Sequence, residues 1–344
     1  MATMAAYPVR PYRLGIDTEA VGALEDAAFT EDYRRMGEDP SAERHRAKRV
    51  ESLLALLARV IPSLRYAEMG HVIEREGRIA SAVFYSREGT KGNQWTIDAV
   101  GTHPDFQGKG MARQLVSKTL ESIRTHGGKI CTLKVREDND AAYRLYRSLG
   151  FEHYDTTHHL KRSEKAVLRS AASRTSPEGL EEVSVSDWFD SWKQRLGLAH
   201  RATRQEVRQF VPIQATRFKR PWIIRVLAPV AMKIGGFSVK QWFVRRDGKL
   251  IATLRIRADR TGSRAHEIKL ELDPAYSDQL AGELIDLALG ELALFQPGNT
   301  LIEVRGSDSV LRESLSERDF RPMSVWHWLG TRLESVQGRA ILTA

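Results

Sequence analysis

Along the chain, Tyr66 to Ser86 holds two runs rich in apolar residues, Met69–Ile73 and Ile79–Tyr85, on either side of the polar stretch around Gly77, and it reads as two strands meeting at that glycine. Trp95 to Thr102 is a third extended run, apolar and β-branched, stopped by Pro104. The period then changes: Leu115, Val116, Leu120 and Ile123 recur at helical spacing. Ile130 to Arg136 alternates apolar and polar residues. A second helix follows, with Asn139 placed to cap it, Ala142, Leu145, Tyr146 and Leu149 along it, and Gly150 to end it. Upstream, Thr18 to Leu64 reads mainly helical with a charged break around Gly37-Glu-Asp-Pro; downstream, closing strands run to about Leu160. Strands mixed with helices of this size predict an α/β lobe on a mixed (α+β) sheet.

Between the third strand and its helix stands Gln107-Gly108-Lys109-Gly110-Met111-Ala112. A strand that feeds a helix through glycines leaves backbone N–H groups unpaired at the helix N-terminus. Those donors and the helix dipole both favour negative charge, so the turn predicts a phosphate or diphosphate site. Gly108 and Gly110 let the backbone come close, and Lys109 adds a positive charge at the rim. A dinucleotide fingerprint needs a third glycine and a later acidic residue, and a P-loop needs Gly-Lys-Ser/Thr; the chain has neither.

The turn resembles the Arg/Gln-x-x-Gly-x-Gly/Ala signature of the GCN5-related N-acetyltransferases (GNAT), which cradle the pyrophosphate of coenzyme A. The helix from Asn139 resembles the same family's Asn-x-x-Ala-x-x-Leu-Tyr-x-x-x-Gly-Phe motif at every marked position, ending at Gly150-Phe151. The resemblance covers residues ~10 to 165 and implies acetyl-CoA as cosubstrate, with no metal. It also implies direct attack of a primary amine on the thioester. Cofactor-binding residues carried over are Val100 and Thr102, whose stretch of strand offers N–H groups to the developing oxyanion, with Gln107, Gly108, Lys109, Gly110, Met111, Ala112 and Asn139. Tyr146 sits where the family's general acid sits, and a tyrosine O–H suits that role at neutral pH; Tyr143 is the lesser candidate. Asp98 is the first candidate for the base, because it lies on the strand that carries the thioester. Two base positions known in the family fall on Lys134 and Gln94 and do not match. His71 and Glu137 are weaker options, and His103 is expected to have no role.

The second half repeats the first. Arg-Glu-Gly at Gly77 answers to Arg-Asp-Gly at Gly248, Pro104 to Pro274, Val135-Arg136 to Val304-Arg305, and Phe151 to Phe320, at offsets of 169 to 171. At offsets of 170 and 169, Asp278 stands opposite Gly108 and Leu280 opposite Gly110, then Leu315 opposite Tyr146, Asp308 opposite Asn139 and Asp319 opposite Gly150. The expectation is two tandem acyl-CoA N-acyltransferase-like lobes, a catalytic one over 1–165 and a degenerate one over 166–344 without an acetyl-CoA site. The linker is Ser163 to Gly179.

Composition adds limits. Of 344 residues 42% are hydrophobic, enough for real cores, and the one cysteine, Cys131, excludes an internal disulfide and predicts a buried structural thiol. No apolar run is long enough to span a membrane and the N-terminus lacks a secretory pattern, so a cytoplasmic protein is expected. Net charge is +9; residues 193–260 hold 17 Lys or Arg against Glu206, Asp247 and Asp259. No nucleic-acid-binding motif accompanies that bias, and a nucleic-acid partner is not expected. The apolar run Trp222–Met232 is expected to pack inside the second lobe, against the first, or along the acceptor cleft. The expected partner is a small-molecule or peptide amine. The alternative is a non-catalytic, acyl-CoA-responsive regulatory protein with a basic partner-binding lobe; the intact Tyr146 and Asn139 argue against it.

Overall fold

The computed structural model describes residues 7–36, 69–88, 93–164, 177–219, 232, 235–262 and 264–333. The chain divides into two compact units: Met1–His153 with Trp328–Ala344, and Tyr154–His327.

The first unit contains β1 (Val9–Pro11), α1 (Thr18–Met36), β2 (Met69–Arg75), β3 (Arg78–Arg87), β4 (Gln94–Thr102), α2 (Met111–Thr125), β5 (Ile130–Arg136) and α3 (Asp140–Ser148). β1 to β4 are antiparallel neighbours in sequence order, and β5 joins parallel to β4, so the sheet is mixed. The β2–β3 hairpin turns on Glu76 and Gly77 at φ of 53° and 73°. Two successive left-handed residues form the turn whose twist matches paired strands. α2 lays Leu115, Val116, Leu120 and Ile123, none more than 5% exposed, on the sheet. Around them pack Trp95, Ile97, Cys131, Leu133 and Phe151. Cys131 is fully buried and its thiol is pushed far up by that burial, as a structural thiol should be.

The second unit opens with β6 (Glu152–Arg162, from Tyr154 on) and continues through β7 (Leu180–Glu182), α4 (Val185–Asp190), α5 (Trp192–Ala202), α6 (Gln205–Phe210) and α7 (Ala215–Phe218). Then come β8 (Phe237–Arg246), β9 (Lys249–Asp259), β10 (His266–Leu272), α8 (Ser277–Leu292), β11 (Thr300–Arg305), α9 (Ser309–Ser316) and β12 (Arg321–Arg332). The β8–β9 hairpin turns on Asp247 and Gly248 at φ of 51° and 70°, as the first hairpin does. β10 and β11 are parallel, the other registered pairs antiparallel. The order from β8 onward repeats the order from β2 onward. The left-handed residue after the last helix is Gly150 (φ 85°) in one unit and Asp319 (φ 63°) in the other. Of the linker, residues 165–176 lie outside the described residues, as do Gly37-Glu-Asp-Pro, the stretch to Leu64 expected to be helical, and all of Trp222–Met232 but Met232.

The unit boundaries differ from the expected single cut after residue 165. β6 pairs with β11 of the second unit, from Thr157 opposite Arg305 to Arg162 opposite Thr300, and Leu160 enters that unit's core. The first unit is completed by the far end of β12: Trp328–Arg332 lie beside β5, the Leu333 N–H donates to the Lys129 carbonyl at 2.8 Å, and Leu329 and Leu333 are buried in its core. Most of β6 therefore belongs to the second unit, and the last residues of β12 to the first. An alternating pattern reports a half-buried strand but not which edge it joins.

Candidate active site

β4 is the element on which the site depends. Its parallel ladder with β5 runs from Gln94 opposite Ile130 to Ile97 opposite Leu133 and stops. At the same point the antiparallel ladder with β3 slips: Phe84 faces Ala99 while Tyr85 faces Ile97, which leaves Asp98 as the extra residue of a bulge. A bulge bends its strand and increases the local twist, so β4 turns away from β5. The His103 N–H donates to the Ala80 carbonyl on β3 at 2.9 Å. By the alternation of an antiparallel ladder, the Val100 and Thr102 N–H groups point to the opposite side, into the gap that β5 vacates. Ser81 pins this stretch, its hydroxyl donating to the Gly101 carbonyl and lying 2.8 Å from the Thr102 hydroxyl.

The turn after β4 opens beside that gap. A short 3-10 helix, Pro104–Phe106, precedes Gly108 (φ 74°) and Gly110 (φ 82°), both left-handed. A side chain in that conformation costs roughly 1–2 kcal/mol. A Cβ at Gly108 meets nothing within 4 Å, so the dihedral, and not crowding, requires the glycine and leaves space over the turn. The first backbone bond of α2 runs from the Gln114 N–H to the Gly110 carbonyl at 3.2 Å. The N–H groups of Met111, Ala112 and Arg113 therefore precede the ladder. Gly110 provides no side-chain cap, and the first turn holds no acidic residue. These features fit an anionic group such as a diphosphate.

The side chains of the turn do other work. The Met111 side chain is 1% exposed in the core, so that residue offers only its backbone. Gln107 Nε2 donates to the Thr102 carbonyl at 3.2 Å and ties the turn to β4. Lys109 folds back, its Nζ 2.9 Å from the Asp105 carbonyl and 5.0 Å from the centre of the Phe106 ring. Asn139 is a helix cap: its Oδ1 accepts the Ala142 N–H at 3.0 Å, and Asp308 does the same for Leu311 at 3.1 Å.

Tyr146 lies in the core on α3, 7% exposed, edge-on to Phe151 at 5.9 Å. Burial pushes its hydroxyl up to about 12. That hydroxyl has no hydrogen bond to the protein among the described residues. Tyr143 stands half-buried, edge-on to His153 at 6.5 Å.

Asp98 reaches solvent at the bulge, yet its carboxyl is held above the ordinary carboxylate value. The protein surface against its inner side is the main cause, and Glu88 adds to it; a hydrogen bond from Ser86 and the charge of Lys134 oppose it. Gln94 is fully buried at the far end of β4. His71 is buried too, stacked on Tyr85 at 5.4 Å with Nδ1 3.2 Å from the Thr119 hydroxyl, and burial followed by Lys118 lowers it. Glu137 is exposed past the end of β5. His103 has a structural task, since its Nδ1 accepts the Asp105 N–H at 3.3 Å and caps the 3-10 turn.

In the second unit the turn is absent, which corrects the pairing of Asp278 with Gly108 and Leu280 with Gly110. The 3-10 helix Pro274–Tyr276 runs straight into α8 at Ser277, whereas four residues, Gln107–Gly110, separate Phe106 from α2. Asp278 and Leu280 are the second and fourth residues of α8, and Leu280 is 1% exposed in the core. A constant offset across the turn conceals a deletion. The β9–β10 register also runs without a slip, so Asp98 has no counterpart. Leu315, opposite Tyr146, is fully buried. Among the described residues no group of three metal-ligating side chains is present, and no helix is long and apolar enough to cross a membrane.

Residues 38–151 match the acetyltransferase (GNAT) family. An acetyltransferase of Yersinia enterocolitica is 35% identical over 89 residues, 26% of this chain and 61% of that protein. One from Pectobacterium atrosepticum is 36% identical over 84 residues, 24% of this chain and 57% of that protein. The chain thus matches less than two thirds of the length of these relatives. Among solved structures, a tandem GNAT protein from the clavulanic acid biosynthesis pathway superposes over 96% of this chain and 99% of its own at TM-score 0.58 and 14% identity. A GCN5-related N-acetyltransferase from Sphaerobacter thermophilus does so over 95% and 96% at TM-score 0.61 and 14% identity. At such identity the likeness is one of fold.

Proposed function

The chain belongs to the GNAT acetyltransferase family through its first unit, and from that premise we propose that this unit transfers an acetyl group from acetyl-CoA to a primary amine. The observation that carries the reading is the departure of β4 from β5 at Asp98, next to a turn with three uncommitted helix N–H groups. The N–H groups of Gly108 to Ala112 hold the diphosphate. The gap beside Val100 and Thr102 takes the thioester, and their N–H groups face the oxygen that gains charge as the amine nitrogen bonds to the carbonyl carbon.

Collapse breaks the carbon–sulfur bond and releases a thiolate. Tyr146 supplies its proton: with its hydroxyl raised to about 12 it stays protonated through the neutral range and serves as donor. The attacking amine must shed a proton, and Asp98 takes it, directly or through water. An elevated carboxyl is the better base for this, because its conjugate acid is matched more closely to neutral pH. The second unit, without the glycine turn or the bulge, does not bind acetyl-CoA. Acetyl-CoA titrated into the full chain should give about one site, and a panel of primary amines should release free coenzyme A. Binding without release from any amine supports an acyl-CoA-responsive regulator instead, and a stoichiometry of two overturns the assignment to one unit.

A further inference from the structure

We infer that the second unit holds its own ligand, a small organic cation bound against Glu271. The pairing of β10 with β11 covers only His266 opposite Thr300 to Ile268 opposite Ile302. Beyond it the strands part around a cavity of about 430 Å³, bounded by Arg201–Arg204 at the end of α5 and by the start of α9. That size falls among small-molecule sites, roughly 300–1,000 Å³. Leu270, Leu272, Val304 and Leu311 give it apolar walls.

The charges decide what fits. Arg201 is engaged by Asp273 and by the Leu250 carbonyl, both at 2.6 Å, and Lys249 also lies 3.6 Å from Asp273. Arg305 is engaged by Asp155 at 3.1 Å, and Asp308 accepts the Leu311 N–H. Glu303 faces His159 at 3.8 Å. Arg195 donates to the Trp188 and Phe218 carbonyls and lies over the Trp188 ring at 4.8 Å. Arg204 is exposed.

Glu271 alone among the acidic residues lining the cavity has no hydrogen bond or ion pair among the described residues. Burial holds its carboxyl above the usual range against the pull of Arg305 and Arg195. Glu271 is half-buried; a carboxylate partly removed from water without donors is costly, and an ammonium or guanidinium supplies both the charge and the N–H groups. The register makes the contrast with the first unit plain. Five residues past Gly77, Ala82 faces Gly101; five residues past Gly248, Thr253 faces Glu271. One unit leaves bare backbone at that position and the other installs a carboxylate, which repels a diphosphate and attracts a cation.

Calorimetry on the full chain without acetyl-CoA tests this apart from acyl transfer, using 2-phenylethylammonium, its neutral analogue 2-phenylethanol and the anion phenylacetate. The ammonium should bind ~10-fold or more tightly than the alcohol, and phenylacetate should not bind. Glu271→Gln keeps the shape and should cost a similar factor while acetyl-CoA binding is unchanged. Affinity should fall as pH is lowered, and that dependence should vanish in the Gln variant. Val310→Trp, which enlarges a lining side chain and leaves Glu271 in place, should also abolish binding, and Gly110→Leu should not. Absence of ammonium binding, equal affinity for the alcohol, or an isotherm unmoved by Glu271→Gln (binding elsewhere, as at the amine site of the first unit) overturns the inference. Displacement of the ammonium by acetyl-CoA would mark the cavity as a second coenzyme site and overturn it equally.

Discussion

Leu329→Ala is the most direct probe of how the first unit is completed. Leu329 is 0% exposed and belongs to the hydrophobic cluster that holds Trp95, Leu115 and Tyr146, which lie between 183 and 234 residues earlier in the chain. The substitution removes three buried carbons, ~2.4 kcal/mol at ~0.8 per methylene, and the residual cavity raises the cost to ~3–5 kcal/mol. For a unit of this size that is a fall of roughly 6–20 °C in Tm. Hydrogen exchange read by mass spectrometry locates the damage. Amides of β4, α2 and β5 should lose protection, while those of β8 and β9 should hold. Leu160→Ala is the mirror experiment, since Leu160 is 6% exposed in the second unit's core; it should loosen α8 and β11. If Leu329→Ala costs under ~1 kcal/mol, or opens only second-unit amides, the completion of the first unit by the end of β12 is refuted.

Three further outcomes test the site itself. Tyr146→Phe keeps the ring and deletes the proton donor, so turnover should fall ~10²-fold with little change in acetyl-CoA affinity, while Tyr143→Phe should be mild; wild-type turnover in Tyr146→Phe would mean another donor. Gly110→Leu places a side chain at φ 82° and blocks the amide turn, which should weaken acetyl-CoA binding by ~2 kcal/mol or more, about 30-fold, by titration calorimetry. A base must be ionised to act, so the rate should be lost as pH falls through the raised value of Asp98; Asp98→Asn should lower the rate and remove that limb of the pH profile, and an unchanged limb points to another base.

Much of the first unit was legible because its signals are local. A left-handed glycine, a cap three residues before the N–H it accepts, and a 3.6-residue apolar stripe each need only a few neighbours in sequence. Gly108, Gly110, Asn139 and the buried stripe of α2 therefore stand where the pattern puts them. The bulge at Asp98 was not legible, since Trp95 to Thr102 reads as one unbroken strand and only the facing residues of β3 disclose the slip. Nor was the loss of the turn between Tyr276 and Ser277, because landmarks on either side keep a near-constant offset. Glu271 reads as one more polar position in an alternating strand. That it has no hydrogen bond or ion pair among the described residues depends on α5, β11 and α9, which line the same cavity and lie far from it in the chain.

The bond from the Leu333 N–H to the Lys129 carbonyl also sets a timetable for synthesis. A ribosome adds ~5–20 residues per second, so the ~200 residues between these partners take roughly 10–40 s to emerge. Through that interval β5 is an open strand edge, and the apolar faces that Leu329 and Leu333 later cover stand bare. Contacts so distant in sequence are also slow to form once both partners are present. The nascent chain is thus exposed to misassociation for tens of seconds, and the demand for chaperone protection falls on the half made first.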